Sequence, residues 1–126
     1  MVDCTVSTTT TDTNPSIEII HVKGMVSANG ANKVSPEVMQ VFEASPAPKG
    51  VIFDLAEAPF VSSGGIRMFL AAYKKGAALD IKVAMVRVQP SVYTVFKVAG
   101  LVGGFRIHES VEQALAGIWS LETAPQ

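Results

Sequence analysis

Two hydrophobic patterns alternate along the chain, one typical of buried strands and the other of amphipathic helices. Short, nearly continuous apolar runs, typical of strands buried in a sheet, cover residues 17–22, 51–55, 81–88 and 105–107. Each run is followed by a segment whose apolar residues recur with the i, i+3, i+4 spacing of an amphipathic helix. Regular strand–helix alternation predicts an α/β domain with a small, mainly parallel sheet and right-handed crossovers.

Capping and turn residues indicate where the elements begin and end. Ser35-Pro36-Glu37 has the residue types of a helix start and predicts that the first helix begins there, after a loop from Gly24 through Asn32. Residues 56–59 predict a turn after the second strand. Ser110 and Gln113 form an S-x-x-Q capping box, which predicts the start of the last helix.

The second helix has the clearest amphipathic pattern. Its predicted inward residues are Ile66, Phe69, Leu70 and Tyr73. Lys74 and Lys75 then suit the negative end of the helix dipole, and Gly76 suits the position just past the last turn. We therefore predict that this helix ends near Gly76.

The two ends of the chain differ in composition from the middle. Seven of the first fourteen residues are Ser or Thr, and few of the fourteen are large and apolar. Residues 1–14 are therefore expected to form a flexible tail. Part of this segment could instead add an edge strand, because Thr and Val favour strands. The folded domain is expected to span residues 15–119, and residues 120–126 to be a frayed C-terminus.

Composition and charge exclude several classes of protein. The chain has 10 Lys and Arg against 11 Asp and Glu, a formal net charge of −1, so it lacks the basic excess of a nucleic-acid-binding protein. It contains no apolar run of about 18 residues, which argues against direct membrane insertion. The single cysteine, Cys4, excludes an internal disulfide framework. We expect a cytoplasmic protein.

Candidate catalytic groups are few. The two histidines and Cys4 follow no metal-ligand spacing, so we expect neither a metal site nor a cofactor. Ser62 or Ser63 could be joined with a histidine and Asp54 in a nucleophilic triad. However, the glycine that precedes the serine in a nucleophile elbow is absent. Asp54 is more simply a hydrogen-bonded core carboxylate, and we expect that the protein is not an enzyme.

The start of the second helix remains as a candidate site. Ser62, Ser63, Gly64 and Gly65 precede its apolar pattern. Free amides at a helix N-terminus favour an anion, and two hydroxyl groups lie beside them. The simplest interpretation is that one serine caps the helix. Arg67, in the first turn, either faces the same spot or is a solvated charge.

The order of motifs along the chain resembles that of the STAS domain family, which includes the anti-sigma factor antagonists. About 65 residues, from Val51 to Leu115, carry the resemblance. The matching features are an apolar strand that ends in Asp-Leu, a Ser-Ser-Gly loop, a strand–helix–Gly-Leu element, and a last strand with its cap. In this sequence they are residues 51–55, 60–66, 88–101 and 105–110.

The resemblance implies a fold, a partner and a switch. The fold is a βα superhelix in which about four helices flank the sheet. The partner is an anti-sigma factor that is also a serine kinase, and phosphorylation of the second serine of the motif ends the binding. That serine corresponds to Ser63, with Ser62 the lesser candidate. The implied partner-binding residues are Ser62, Ser63, Gly64, Gly65 and Arg67.

Two departures from the family pattern keep a second function open. Val61 stands where the family has an aspartate before the serine pair, and Met25-Val26-Ser27-Ala28 replaces its early Leu-Asp. Other members of the family serve transport or stress-signalling assemblies and lack a phospho-switch. The chain is therefore predicted to be either a switching antagonist in transcription regulation or a subunit of such an assembly.

Overall fold

A computed structural model describes residues 4–11, 17–100 and 106–116. Its strands are β1 (Thr5–Thr10), β2 (Ile17–Val26), β3 (Gly50–Val61), β4 (Lys82–Val86) and β5 (Arg106–His108). They form one sheet in the order β1-β2-β3-β4-β5. β1 is antiparallel to β2 and the other neighbours are parallel, which confirms the predicted fold class.

The helices lie on both faces of this sheet. Within the described residues they are α1 (Ala28–Phe42), α2 (Ser63–Leu79), α3 (Pro90–Val98) and a fourth segment, α4, at residues 111–116. None of these helices is both long and apolar enough to cross a membrane.

The larger core lies between one face of the sheet and helices α1, α2 and α3. At its centre the ring of Phe69 meets Phe53 at 5.2 Å and Phe96 at 5.9 Å, both edge to face. Each such pair contributes about 0.5–1.5 kcal/mol beyond the burial of its area. A smaller core on the other face joins Ile52 to Ala114 of α4. β3 is thus covered on both faces near its start, as its apolar run predicted.

The prediction of a flexible tail is wrong for residues 5–10, which form the edge strand β1. This strand pairs with β2 along its whole length. Val6 packs against the larger core, and Cys4 beside it is 2% exposed. The alternative, that strand-favouring Thr and Val residues add an edge strand, describes what is observed. Residues 1–3 and 12–16 lie outside the described part of the chain.

The predicted start of the first helix at Ser35 is also wrong. α1 begins at Ala28 after the N-cap Ser27, and Pro36 lies inside it. Pro36 is exposed, so water can bond the carbonyl that its missing N–H leaves free. The buried stripe of α1 explains the early start, because packing outweighs the low helix propensity of glycine and asparagine. That stripe consists of Ala31, Val34, Val38 and Phe42.

Residues 56–59 form no turn but continue β3 to Val61. The pairing of β2 with β3 shifts register between His21 and Lys23 and again between Lys23 and Met25. These irregularities accommodate the additional residues of β3, so the two strands end with Val26 opposite Val61.

The second helix continues past its predicted end. α2 runs to Leu79, and Asp80 caps it with a φ of 60°. Gly76 lies inside the helix, where a Cβ atom would come within 2.8 Å of the Ile81 carbonyl oxygen. The glycine therefore permits the close approach of α2 to β4. The helical phase is confirmed at Ile66 and Phe69, but Tyr73 is 39% exposed.

The predictions for the last elements are confirmed where the structure describes them. Gln113 N–H donates to the hydroxyl oxygen of Ser110, so the capping box begins α4 as predicted. β5 starts at Arg106. Phe105, the domain limit near residue 119 and the expected frayed segment 120–126 lie outside the described residues.

Candidate functional site

Two helices start side by side where β2 and β3 end. Each strand is followed by a serine that caps the next helix. The Ser27 hydroxyl accepts a hydrogen bond from Gly30 N at 3.1 Å, and the Ser62 hydroxyl accepts one from Gly65 N at 3.2 Å. The Ser62 N–H donates to the Val26 carbonyl at 2.9 Å and ties the second start to the first.

The two serines of the candidate site have different surroundings. Ser62 is half-buried, and its hydroxyl oxygen also lies 3.4 Å from the Val26 carbonyl. Ser63 is the first residue of α2 and is exposed. Its hydroxyl has no hydrogen-bond partner among the described residues. One serine therefore caps the helix, as expected, and the other is exposed at the start of the same helix.

The glycines that follow serve packing. A Cβ atom at Gly64 would lie 2.5 Å from the Ala28 Cβ, and one at Gly65 would lie 2.4 Å from the Val26 carbonyl oxygen. No real Cβ contact is that short, so α2 could not approach α1 and β2 this closely with side chains at these positions. Gly65 is buried. Unlike the exposed Ser63, Gly65 therefore presents little surface to the predicted partner.

Arg67 completes the predicted set. Its exposed side chain borders a groove of about 280 Å³ between α1 and α2, which Gly64 and Ser35 also line. The structure thus brings Ser62, Ser63, Gly64 and Arg67 together at one end of α2, with Ser63 and Arg67 the exposed members.

An apolar patch near this end was missed in the sequence. Met25 and Phe60 are paired in register on β2 and β3 and are 37% and 43% exposed. They adjoin Val26 and Val61, which project into the larger core, and the smaller core on the opposite face covers only the start of β2 and β3. A groove of about 390 Å³ beside the patch is lined by Lys23, Gly24, Met25, Glu57, Pro59 and Gln89. The signal available was an apolar residue two positions before each capping serine.

Asp54 is the centre of a polar network inside the sheet. Its carboxylate accepts hydrogen bonds from the Ala56 amide at 3.1 Å and Arg87 Nε at 3.0 Å, and Arg87 Nη2 makes a further contact. His21 Nδ1 lies 3.0 Å from the same carboxylate, and His21 Nε2 lies 3.0 Å from the Thr9 hydroxyl. Arg87 reaches inward from a left-handed backbone position with a φ of 54°.

Electrostatics keep this carboxylate ionised. Burial alone raises the pKa of Asp54, whose residue is 3% exposed. Hydrogen bonds from Arg87, Ala56 and His21, together with the charge of Arg87, outweigh that effect and hold the pKa below its ordinary value. The network therefore links three strands, β1, β2 and β3, to Arg87, the residue that follows β4. Asp54 is a hydrogen-bonded core carboxylate, as expected.

The candidate triad is not assembled. The histidine beside Asp54 is His21, and its other ring nitrogen meets Thr9, not Ser62 or Ser63. Cys4 is buried, and burial raises the pKa of its thiol, which disfavours the reactive thiolate. Among the described residues no cluster of three His, Cys, Asp or Glu side chains could hold a metal ion.

Comparison with known proteins assigns the fold to a family. The profile of the STAS domain matches residues 8–114, most of the chain. The chain therefore belongs to the STAS domain family. No curated protein sequence matches it.

Solved structures with low sequence identity share the fold. An anti-sigma factor antagonist from Mycobacterium paratuberculosis is 19% identical, with a TM-score of 0.76 over 91% of this chain and 95% of that one. The Bacillus cell fate determinant SpoIIAA in its phosphorylated form is 15% identical, with a TM-score of 0.67 over 90% and 99%. A sulfate transporter family protein from Wolinella succinogenes is 16% identical, with a TM-score of 0.70 over 84% and 87%.

Proposed function

We propose that this chain is a regulatory protein-binding module of the anti-sigma factor antagonist type. In this proposal it binds an anti-sigma factor that is also a serine kinase, and phosphorylation of Ser63 ends the binding. Fold similarity to anti-sigma factor antagonists supports this class of function. The position of Ser63 supports the switch.

The proposal rests on the different structural roles of Ser62 and Ser63. Ser62 caps α2, whereas Ser63 is exposed and its hydroxyl serves no described contact. A phosphate on Ser63 adds about −1.5 to −2 charges next to the positive end of the α2 dipole. The helix start tolerates that charge, so modification leaves the fold intact and acts on whatever binds there.

Exposed side chains that a partner could contact lie both on the first turn of α2 and at the ends of β2 and β3. Ser63 and Arg67 lie at the start of α2, and Met25 and Phe60 lie on the strands that lead to it. Exposed apolar side chains next to polar ones are typical of protein interfaces. A partner packed against a neutral hydroxyl would have to bury an unpaired dianion once Ser63 is phosphorylated, which costs several kcal/mol.

A second candidate function is a STAS subunit of a transport or stress-signalling assembly without a phospho-switch. Val61 favours it, because the position before the serine pair is 2% exposed and offers a kinase no carboxylate. The similarity to the sulfate transporter family protein is consistent with this alternative.

Capture from a lysate of the source organism distinguishes the two. Four immobilised proteins are compared by mass spectrometry: the wild type and the variants Ser63→Ala, Ser63→Glu and Ala78→Glu. Ala78 is exposed near the far end of α2, about 22 Å from Ser63 by helix rise, and controls for added charge. The proposal predicts an anti-sigma kinase bound by all except Ser63→Glu. Transport or stress-complex proteins bound equally by all four would favour the second candidate.

A further inference from the structure

The two edges of the sheet are built differently. β5 is three residues long and contains Arg106 and His108. β1 is six residues long, contains only Thr, Ser and Val, and carries no charge. Its pairing with β2 has no register shift.

An edge strand exposes unpaired N–H and C=O groups to other chains. Natural proteins protect such edges with short strands, charged side chains, proline or bulges. β5 is short and carries a cation, so it is protected. β1 has none of these features between Thr5 and Thr10, and except for Val6 its side chains are exposed. Among the described strands it occupies the end of the sheet.

We propose that β1 is a dimerisation edge, and that two copies of this chain pair β1 against β1 in antiparallel orientation. A second copy of β1 is a suitable partner because identical neutral strands do not repel each other. Cross-strand pairs of Thr and Ser are also favourable. Pairing about a two-fold axis also closes after two copies. The short, cationic β5 of another copy is a poorer partner.

The pleat of the sheet restricts the register. Paired residues must point to the same face, so a two-fold axis perpendicular to the sheet passes midway between one residue and its own copy. Ser7 and Thr8 are the central residues of β1. One of them therefore faces itself, with Cα atoms about 4.5–5.5 Å apart. That separation is within the range of a disulfide bond.

Cysteine cross-linking tests this geometry. Ser7→Cys and Thr8→Cys are each incubated with oxidised glutathione, which accepts the two electrons and two protons released when two thiols join. Ala78→Cys is the exposed control on α2, and the native Cys4 is buried. We expect a covalent dimer from at least one β1 variant and none from the control. Cross-linking no better than the control at both positions would overturn the proposal.

Sedimentation of the unmodified chain gives the second test. Thr8 is exposed, so Thr8→Lys leaves the packing of β1 on β2 intact. It places two cations directly opposite each other if Thr8 faces its copy, or about 7–8 Å apart on the diagonal if Ser7 does. From about 1 µM to 1 mM the wild type and Ala78→Lys should dimerise, and Thr8→Lys should dimerise at least tenfold more weakly, about 1.4 kcal/mol. Thermal melting confirms that each variant is folded. A wild type that is monomeric throughout, or a Thr8→Lys dimer of unchanged affinity, contradicts the proposal.

Discussion

Two consecutive strand–helix units, β2–α1 and β3–α2, finish at the same end of the sheet and are capped in the same way. Val26 lies opposite Val61, and Ser27 and Ser62 each bind the amide three residues on. The units differ at the first helical residue, which is Ala28 in α1 and Ser63 in α2. The same capping arrangement thus places a methyl group beside Gly64 in one unit and an exposed hydroxyl in the other.

The two units also contribute unequally to the polar network. β2 supplies His21 at its exposed side, and β3 supplies the buried carboxylate of Asp54. If the contact is lost, water can hydrate the partly exposed His21 ring, but it cannot reach the buried Asp54 carboxylate. The β3–α2 unit therefore carries both the buried carboxylate of Asp54 and the exposed hydroxyl of Ser63.

The largest effect is expected at Asp54. Asp54→Asn should lower the free energy of unfolding by about 2–3 kcal/mol at pH 7, because Arg87 and His21 lose a charged acceptor. The pKa of Asp54 is lowered on folding, so its contribution is complete above the unfolded pKa of about 3.9 and is lost as the pH falls through the lower folded value. Urea unfolding should therefore show the gap between the two proteins narrowing below about pH 4.

Glu57→Gln provides the matched control for that experiment. Glu57 is an exposed carboxylate on the same strand, 4.0 Å from Lys23. Its loss should change stability by less than about 0.5 kcal/mol at either pH. A gap for Asp54→Asn that does not depend on pH would mean that the carboxylate is not held ionised by its neighbours.

A smaller effect is expected where the two helix starts touch. Gly64→Ala should destabilise the protein by about 1–2 kcal/mol, because the new methyl overlaps Ala28 although alanine favours the helix. Asn29 is the equivalent residue of α1 and is exposed, so Asn29→Ala should be close to neutral. Chemical denaturation of both variants measures the difference. Equal costs would show that the close approach at Gly64 is not specific to α2.

The smallest effects on stability are expected from replacing the three serines at the helix starts with alanine. Ser27→Ala and Ser62→Ala should each cost about 1 kcal/mol, because each removes an N-cap hydrogen bond. Ser63→Ala should change stability by less than about 0.5 kcal/mol, since its hydroxyl has no described partner. Thermal melting of the three variants is sufficient. If Ser63→Ala lowered stability as much as Ser62→Ala, the Ser63 hydroxyl would be stabilising the fold.

Local patterns predicted the parallel sheet and the start of α2 because those features depend on neighbours in sequence. The apolar run at residues 51–55, the serine pair and the i, i+3, i+4 spacing after it are all visible without tertiary structure. The errors occur where distant contacts decide. α1 starts early because Ala31 and Val34 are buried, and α2 continues through Gly76 because β4 approaches it there.

The site was predictable in part for the same reason. Motif position indicated Ser62, Ser63 and Arg67, but only packing against Val26 shows that Gly65 is buried. The exposure of Met25 and Phe60 depends on how far the smaller core extends along β2 and β3, which distant contacts decide. β4 also ends at Val86, two residues before its predicted end at Val88. The partners of Asp54 come from other strands and from a left-handed residue, Arg87.

The most direct test of the account is a calorimetric titration of the captured partner with four proteins: wild type, Ser63→Ala, Ser63→Glu and Ala78→Glu. We predict equal affinity for wild type, Ser63→Ala and Ala78→Glu. Ser63→Glu should bind at least about tenfold more weakly, which corresponds to about 1.4 kcal/mol, while its melting temperature stays unchanged. Equal affinities for all four proteins would contradict a switch at Ser63.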